Sequence, residues 1–497
     1  MQKNIAFKKN IFSLLTGLIL LSGAAFAQHD FHGRYVPETD PLVLEKLEGW
    51  QDIKFGLLMH WGPYSQWGIV ESWSICPEDE GWTQRNMDNY VEYTEAYENL
   101  QTTFNPVQFD PERWAVAAKN AGMRYVVFTT KHHDGFSMFD TKQTDYSITG
   151  PETPFSIDPR ANVTKEIFDA FRAEGMWTGA YFSKPDWHSD YYWWEYFPPF
   201  DRNVNYDPDL YPERWENFVQ FTHNQILELM TDYGQVDILW LDGGWVQKRS
   251  REQIISSYHD KIMASETGFV KSRTVNQDIR MDELVEKARE KQPGLIVVDR
   301  AVQGKNQNYL TPENQVPDMM LPYPWESCII AGGSWSWVPE ARYMSNRQLT
   351  HMLVDIVSKG GNLLLNIAPG PLGQWHEEAY ELLEGIGKWM AVNSEAIYET
   401  RAISPYKEGK VCLTRKKDDD QVYMIYLAGE GEEAPPPSVY LSSIQPEKDA
   451  SVTMLGDNRN LRWEESGDGV LVYIPARLQK NPPCADAWTI KISSVKE

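Results

Sequence analysis

Short apolar runs recur along the first three quarters of the chain, with longer amphipathic segments between them. Their length and their content of β-branched and aromatic residues are typical of buried strands. Because almost every position in each run is apolar, the strands are predicted to form a parallel sheet that is covered on both faces. The predicted strands are Phe55–Met59, Tyr125–Thr129, Trp177–Phe182, Val236–Leu241, Leu295–Val298 and Leu363–Ile367.

Several of the segments between these runs carry the capping residues and terminal glycines of helices. Strands that alternate with helices predict an α/β fold, and over this length a (β/α)8-like TIM barrel is the leading architecture. The predicted helices run from Asp110-Pro111 to Gly122, over Val163–Glu174, over Trp215–Tyr233, and from the capping Ser345 to Lys359.

The pattern changes near residue 402, where short strand-like runs follow one another across turn-rich segments. Such a succession predicts a small antiparallel β-sandwich. We therefore divide the chain into a catalytic (β/α) barrel over residues 28–400 and a C-terminal β-sandwich over residues 401–497. The strand-like runs are Gln421–Leu427, Ser438–Leu441, Gly469–Ile474 and Trp488–Ile492.

The first 27 residues have the three parts of a secretory signal peptide. Lys3, Lys8 and Lys9 give a positive start, Ile11–Leu21 is almost entirely apolar, and Ala25-Phe26-Ala27 reads as a cleavage site. We expect an exported protein, periplasmic or secreted. No later stretch approaches the ~18 apolar residues of a membrane span, so no membrane association is expected.

The amino-acid composition argues against one class of ligand and favours another. The formal net charge is −24, which repels phosphate backbones and argues against nucleic acid as a partner. The chain has 20 Trp and 25 Tyr residues, and aromatic faces stack well on the apolar faces of sugar rings. The composition therefore favours a sugar-binding protein; it gives no indication of the oligomeric state.

Polar and ionisable residues follow the predicted strands. In a barrel, the carboxyl ends of all strands open onto one face, which holds the active site. We therefore expect these residues to converge in one pocket lined by histidines, carboxylates and tryptophans. They are His60-Trp61, Lys131–Asp134, Asp186–His188, Asp242–Trp245, Asp299-Arg300, Trp325-Glu326 and Asn366.

Carboxylates in such a pocket suit glycoside hydrolysis, in which two acidic side chains flank the scissile bond. The chain has no G-x-S-x-G elbow and no H-E-x-x-H motif. Asp242 is the best nucleophile candidate, because it ends a buried strand and Gly243-Gly244 leaves space beside it. For the acid/base, the residues themselves favour neither Glu313 nor Glu326.

Two other kinds of protein fit the same pattern. One is a non-catalytic glycan-binding protein on the same scaffold. The other is a metal-dependent hydrolase that uses His132, His133 and Asp134. Neighbouring side chains on a strand point to opposite faces, so one metal ion would not easily take both histidines. We therefore expect no metal and no cofactor.

Several stretches resemble, in the same order, the α-L-fucosidases of glycoside hydrolase family 29. The resemblance covers about residues 45–400, and its most specific block is Lys131-His132-His133-Asp134-Gly135-Phe136. The other matching stretches are Lys54–Gly56, His60–Gly62, Tyr64-Ser65, Thr144–Tyr146, Leu239–Gly243, Val298–Arg300, Trp325-Glu326 and Gly360–Ile367.

This resemblance implies a (β/α) barrel with a C-terminal β-sandwich and a retaining double displacement with Asp242 as nucleophile. It implies that the Thr311-Pro312-Glu313 loop supplies the acid/base, which ranks Glu313 before Glu326. The substrate would be a fucosylated oligosaccharide or glycoconjugate that loses a terminal α-L-fucose. By the same resemblance, the residues that bind the sugar are His60, Trp73, His132, His133, Tyr181, Trp240 and Arg300.

The chain departs from the family pattern at two places. It reads Glu71-Ser72-Trp73 where the family commonly reads Glu-Trp-Tyr, and residues 246–292 form a longer segment than expected. We expect that segment to reshape the aglycone side of the site. An α-L-galactosidase is the nearest alternative activity, since an apolar pocket discriminates only modestly against one added hydroxyl.

Overall fold

The computed structural model describes residues 35–496, apart from residues 79, 80, 82 and 271. The predicted signal peptide, residues 1–27, lies outside the described residues. No helix in the described ranges is long and apolar enough to cross a bilayer.

Seven parallel strands form the barrel sheet, in the order β5-β4-β3-β2-β1-β7-β6. Nearly all of their residues are buried, which explains why the runs are apolar at successive positions. The strands are β1 (Phe55–Met59), β2 (Tyr125–Lys131), β3 (Trp177–Ser183), β4 (Ile238–Asp242), β5 (Ile296–Asp299), β6 (Glu326–Ile330) and β7 (Asn362–Asn366).

An irregular segment, residues 306–314, lies between the two edge strands. The Asn308 amide donates to the Val297 carbonyl of β5 at 2.9 Å. On the other side, the Glu326 amide donates to the Leu310 carbonyl at 2.8 Å. The segment thus takes the place of an eighth strand and carries Glu313 at its end.

Nine helices of the barrel domain accompany this sheet in the part of the chain that is described. The four predicted helices are present; α4, for example, begins after the capping Asn162 and buries Ile167, Phe168 and Phe171 on one face. The helices are α1 (Pro41–Ile53), α2 (Tyr90–Glu98), α3 (Pro111–Asn120), α4 (Val163–Ala173), α5 (Pro212–Asp232), α6 (Arg251–Ala264), α7 (Met281–Lys291), α8 (Asn346–Ser358) and α9 (Glu377–Asn393).

The C-terminal domain consists of two antiparallel sheets with a shared apolar core. The larger has the order β13-β12-β16-β10-β9-β8, the smaller β11-β15-β14. A short helix, α10 (Ala476–Lys480), was not evident in the sequence pattern. The strands are β8 (Thr400–Glu408), β9 (Val411–Lys416), β10 (Val422–Leu427), β11 (Ser438–Leu441), β12 (Val452–Met454), β13 (Asp457–Asn460), β14 (Arg462–Ser466), β15 (Gly469–Tyr473) and β16 (Ala487–Ile492).

The larger sheet also has an outer apolar face, which packs on the barrel. Cys412, Tyr423 and Ile425 belong to the same core as residues of α8 and α9. The Trp389 indole donates to the Ala487 carbonyl at 3.0 Å across this contact. The predicted fold class, a (β/α) barrel followed by an antiparallel β-sandwich, is confirmed.

Candidate active site

The carboxyl ends of the barrel strands bring the predicted polar side chains together at one edge of the sheet. His60 follows β1, His132-His133 follows β2, Asp242 ends β4 and Arg300 follows β5. Parallel strands all end on the same face, so residues from four strand ends that are far apart in sequence line one pocket.

Both carboxylate oxygens of Asp242 form hydrogen bonds with neighbouring groups. Oδ2 accepts a hydrogen bond from the Tyr181 hydroxyl at 2.7 Å, and Oδ1 faces the Arg300 guanidinium at 3.2 Å. The Gly243 amide also donates to Oδ1, and His133 Nε2 lies 3.9 Å from Oδ2. Burial alone would raise the pKa of Asp242, but the charge of Arg300 and the hydrogen bonds from Tyr181 and Gly243 hold it well below its usual range. Asp242 is therefore ionised.

Arg300 joins the two candidate carboxylates. Its Nη1 contacts Asp242, and its Nη2 donates to Glu313 Oε2. The Trp335 indole donates to the other oxygen of Glu313 at 3.1 Å. The Glu313 side chain is 27% exposed, against 16% for Asp242, so it is the more open to solvent of the two.

Three neutral histidines line the pocket. Burial lowers the pKa of His60 and of His133 to about 4, and that of His132 well below its usual value. The Nδ1 atoms of His60, His132 and His133 form hydrogen bonds with the side chains of Asn366, Ser72 and Ser183, respectively. A neutral imidazole engaged at Nδ1 has Nε2 available for a second hydrogen bond.

His132 and His133 do not point to opposite faces, because β2 ends at Lys131. Their ring centroids are 4.3 Å apart. Within the described ranges, nitrogen atoms of both and an oxygen of Asp242 lie within 4.8 Å of one another, a spacing that a metal ion can bridge. Asp134 is not a member of that group, since its Oδ2 accepts from the Tyr97 hydroxyl at 2.7 Å. The structure does not form the alternative metal triad with Asp134.

Aromatic rings complete the walls. Trp240 stacks on Tyr181 at 5.1 Å, one layer below Asp242. Trp73 stands edge-on to His133 at 5.3 Å and to Trp245 at 5.7 Å. All seven predicted sugar-binding residues thus lie in or directly beside the pocket.

Glu326 begins β6 and does not end a strand, so its predicted position at a carboxyl end is wrong. It is fully buried in the barrel interior. It accepts from the Tyr125 hydroxyl at 2.5 Å and from the Trp240 indole at 3.3 Å. Burial raises the pKa of Glu326 to about 7. These contacts show that the Glu326 carboxyl finds its hydrogen-bond partners inside the barrel core.

Replacement of Glu326 by glutamine should stabilise the protein more at pH 8 than at pH 5. The folded-state pKa of about 7 exceeds the roughly 4.3 of an unfolded carboxyl. The native protein therefore holds a proton that the unfolded chain releases, and wild-type stability falls as the pH rises through this window. Glutamine does not titrate, so the free energy of unfolding of the variant, relative to that of the wild type, should rise by up to about 3 kcal/mol between pH 5 and pH 8. The melting temperatures of the wild type and the variant, measured at pH 5 and at pH 8, test this expectation. A melting-temperature difference that is the same at both pH values would contradict it.

The sequence reasoning missed Glu71. It precedes the short helix Ser72–Ile75 and is 3% exposed. Its Oε2 has no hydrogen-bond partner among the described residues. Burial raises the pKa of Glu71 to about 8, and the charges of Glu313 and Asp242 add to the rise. A neutral carboxyl beside the pocket can donate a hydrogen bond. The sequence signal for it was its match to the glutamate of the family's Glu-Trp-Tyr pattern.

Comparisons with known proteins agree with this geometry. The α-L-fucosidase family model matches residues 23–395, and the model of the α-L-fucosidase C-terminal domain matches residues 406–493. The chain belongs to the α-L-fucosidase family. This membership confirms the resemblance to glycoside hydrolase family 29 and the prediction of a glycoside hydrolase.

Individual members align with this family protein over most of its length. Human plasma α-L-fucosidase is 27% identical over 489 residues, which cover 93% of each chain. The structure of α-L-fucosidase isoenzyme 1 from Paenibacillus thiaminolyticus has a TM-score of 0.70 and 27% identity, and covers 92% of this chain and 100% of its own. A Bacteroides thetaiotaomicron α-L-fucosidase, trapped as a covalent intermediate with 2-fluoro-fucosyl fluoride, has a TM-score of 0.69 and 22% identity, with 94% and 98% coverage.

Proposed function

We propose that the protein removes terminal α-L-fucose from fucosylated oligosaccharides or glycoconjugates with retention of configuration. The observation that carries this proposal is the shared guanidinium of Arg300, which contacts both Asp242 and Glu313. Carboxylates that face one guanidinium are compatible with the separation of about 5–5.5 Å in retaining glycosidases. The trapped covalent intermediate of the Bacteroides thetaiotaomicron relative supports the same mechanism.

In the first step, the Asp242 carboxylate attacks the anomeric carbon of fucose. Its low pKa keeps it ionised, and the Tyr181 and Arg300 contacts fix its orientation. Glu313 gives its proton to the departing glycosidic oxygen, so the aglycone leaves as an alcohol. The product of this step is a fucosyl ester of Asp242.

In the second step, Glu313 removes a proton from water. The resulting nucleophile attacks the anomeric carbon and displaces the Asp242 carboxylate, which restores the enzyme and releases fucose. The solvent exposure of Glu313 suits a group that must exchange its proton and admit water.

The neutral polar groups around Asp242 would orient the sugar. His60 donates from Nδ1 to the Asn366 side-chain oxygen, so its Nε2 can accept a hydrogen bond. His132 and His133 face hydroxyls at Nδ1, so their Nε2 atoms can donate or accept. The protonated Glu71 would donate to a hydroxyl. The aromatic walls, including Trp73, would receive the apolar face and the methyl group of fucose.

An aryl α-L-fucoside tests the activity directly. We expect hydrolysis, with the α-anomer of fucose as the first product in proton NMR. A chelator should leave the rate unchanged, whereas a loss of activity on chelation would favour metal-dependent hydrolysis at His132, His133 and Asp242. No release of aglycone would favour a non-catalytic glycan-binding protein. Faster release from the α-L-galactoside would favour the galactosidase alternative.

Replacement of Tyr181 by phenylalanine should reduce kcat/KM. The lost hydrogen bond joins its hydroxyl to the Asp242 carboxylate at 2.7 Å. Bonds to charged groups contribute about 1.5–3 kcal/mol, which corresponds to a loss of roughly 10- to 100-fold. As a matched control, Tyr426→Phe removes a hydroxyl bonded to Glu432 in the C-terminal domain and should leave the kinetics unchanged. A loss smaller than about twofold in Tyr181→Phe would count against the assigned contact.

We also propose that the protein is exported and cleaved after Ala27. The support is the charged start, apolar run and cleavage pattern of residues 1–27. N-terminal sequencing of the protein from its native host should begin at Gln28. An N-terminus at Met1 would contradict export by this route.

A further inference from the structure

An aromatic segment follows β3, and the mechanism proposed above does not use it. Residues 191–200 contain seven aromatic side chains. Tyr196 is 73% exposed and Phe200 is 65% exposed. Large exposed apolar patches on a protein mark interaction surfaces or ligand-binding grooves.

An open cleft of about 490 Å³ lies between Phe197 of this segment and the insertion that follows β4. We call it the aromatic cleft. Its volume is in the range of ligand pockets, roughly 300–1,000 Å³. Rings and polar groups both line it: Phe197, Tyr206 and Tyr211 supply rings, and Asn205, Asp207 and Arg273 supply donors and acceptors.

Hydrogen bonds hold the walls of the aromatic cleft in place. Arg273 from the insertion pairs with the buried Asp201 at 2.9 Å, and its amide donates to the same carboxylate at 2.7 Å. Asn205 exchanges two hydrogen bonds of 2.9 Å with the backbone of Trp194. A cleft fixed in this way loses little conformational entropy when a ligand binds.

Aromatic rings extend from the active site toward the aromatic cleft. His133 contacts Trp187 at 5.0 Å, and Trp187 stacks on Trp193 at 5.2 Å with an interplanar angle of 9°. The next residue, Trp194, contacts Tyr211 of the cleft at 5.2 Å. The two sets of rings thus come together at Trp193 and Trp194, which are neighbours in the chain.

We propose that the aromatic cleft is a second carbohydrate-binding site, which takes a neutral oligosaccharide. Sugar rings would stack their apolar faces on Phe197 and Tyr211. Sugar hydroxyls can donate hydrogen bonds to the carboxylates of Asp207 and Asp209, which line the cleft. The net charge of −24 disfavours an anionic ligand. The proposal goes beyond the proposed function, because the ligand needs no fucose.

Calorimetric titration with fucose-free oligosaccharides tests the proposal. The probes are cellopentaose, xylopentaose, mannopentaose and lacto-N-tetraose. We expect saturable binding of at least one of them by the wild-type protein. The double variant Phe197→Ala/Tyr211→Ala should weaken that binding at least about tenfold. The control Phe269→Ala/Tyr440→Ala removes two rings that are exposed outside the cleft, and should keep the affinity.

Three results would overturn the proposal. They are no saturable binding to any of the four probes, binding that the cleft variant does not weaken, and a self-association of the wild-type protein that the cleft variant abolishes. The last would identify the rings as an interface between copies of this chain. Failure to hydrolyse an aryl α-L-fucoside would contradict the proposed function alone, because these probes carry no fucose.

Discussion

Replacement of Asp242 by alanine is expected to lower kcat on an aryl α-L-fucoside by at least about 10³-fold. The variant has no carboxylate to form the fucosyl ester, so both steps of the double displacement are lost. Arg300 also contacts Glu313, so we expect it to stay in the pocket and sugar binding to persist. Steady-state kinetics, with a fucose-binding measurement on the same variant, separates the two effects.

The matched control for this variant is Asp237→Asn. Asp237 is a buried carboxylate at the opposite end of β4, where it accepts from the Thr178 amide at 2.9 Å. It is remote from the pocket, and its replacement should change kcat by less than about threefold. Comparable losses in both variants would mean that Asp242 acts through stability and not through chemistry.

Replacement of Glu313 by alanine should give a loss that depends on the leaving group. A glycan needs a proton on its departing oxygen, so its hydrolysis should fall by about 10²–10⁴-fold. An aryl fucoside with a good leaving group needs no proton, and its first step should be largely spared. Water then attacks without a general base, and the covalent intermediate should accumulate as a burst of released aglycone.

Glu326→Gln is the control for this result. Its carboxyl is bonded to Tyr125 and Trp240 in the barrel interior, so any loss of activity should be equal for good and poor leaving groups. If Glu326→Gln showed the leaving-group dependence and Glu313→Ala did not, the two assignments would have to be exchanged.

The sequence predicted the barrel strands where burial on both faces makes them continuously apolar. The predicted Tyr125–Thr129 became β2, Tyr125–Lys131, and Val236–Leu241 became β4, Ile238–Asp242. The pattern could not locate β6, because that strand begins with Glu326-Ser327. It also could not find the irregular segment 306–314, whose pairing with both edge strands follows from closure of the barrel and not from local periodicity.

The residues of the site could be predicted from the sequence where they lie at the carboxyl end of a strand. His60, Asp242 and Arg300 were found because polar groups that follow parallel strands converge. Glu326 was misplaced, since sequence does not tell whether a residue starts or ends a strand. Glu71 and Trp335 come from loops that the fold alone brings to the pocket.

In the proposed mechanism, Asp242 becomes covalently bound to fucose during catalysis. Incubation of the protein with 2-fluoro-fucosyl fluoride, followed by mapping of the labelled peptide by mass spectrometry, detects this bond. We predict one fluorofucosyl group on the peptide that contains Asp242, with slow recovery of activity as the ester hydrolyses. A label on Glu71 or on any other residue, or turnover that releases inverted fluorofucose without an adduct, would contradict the account.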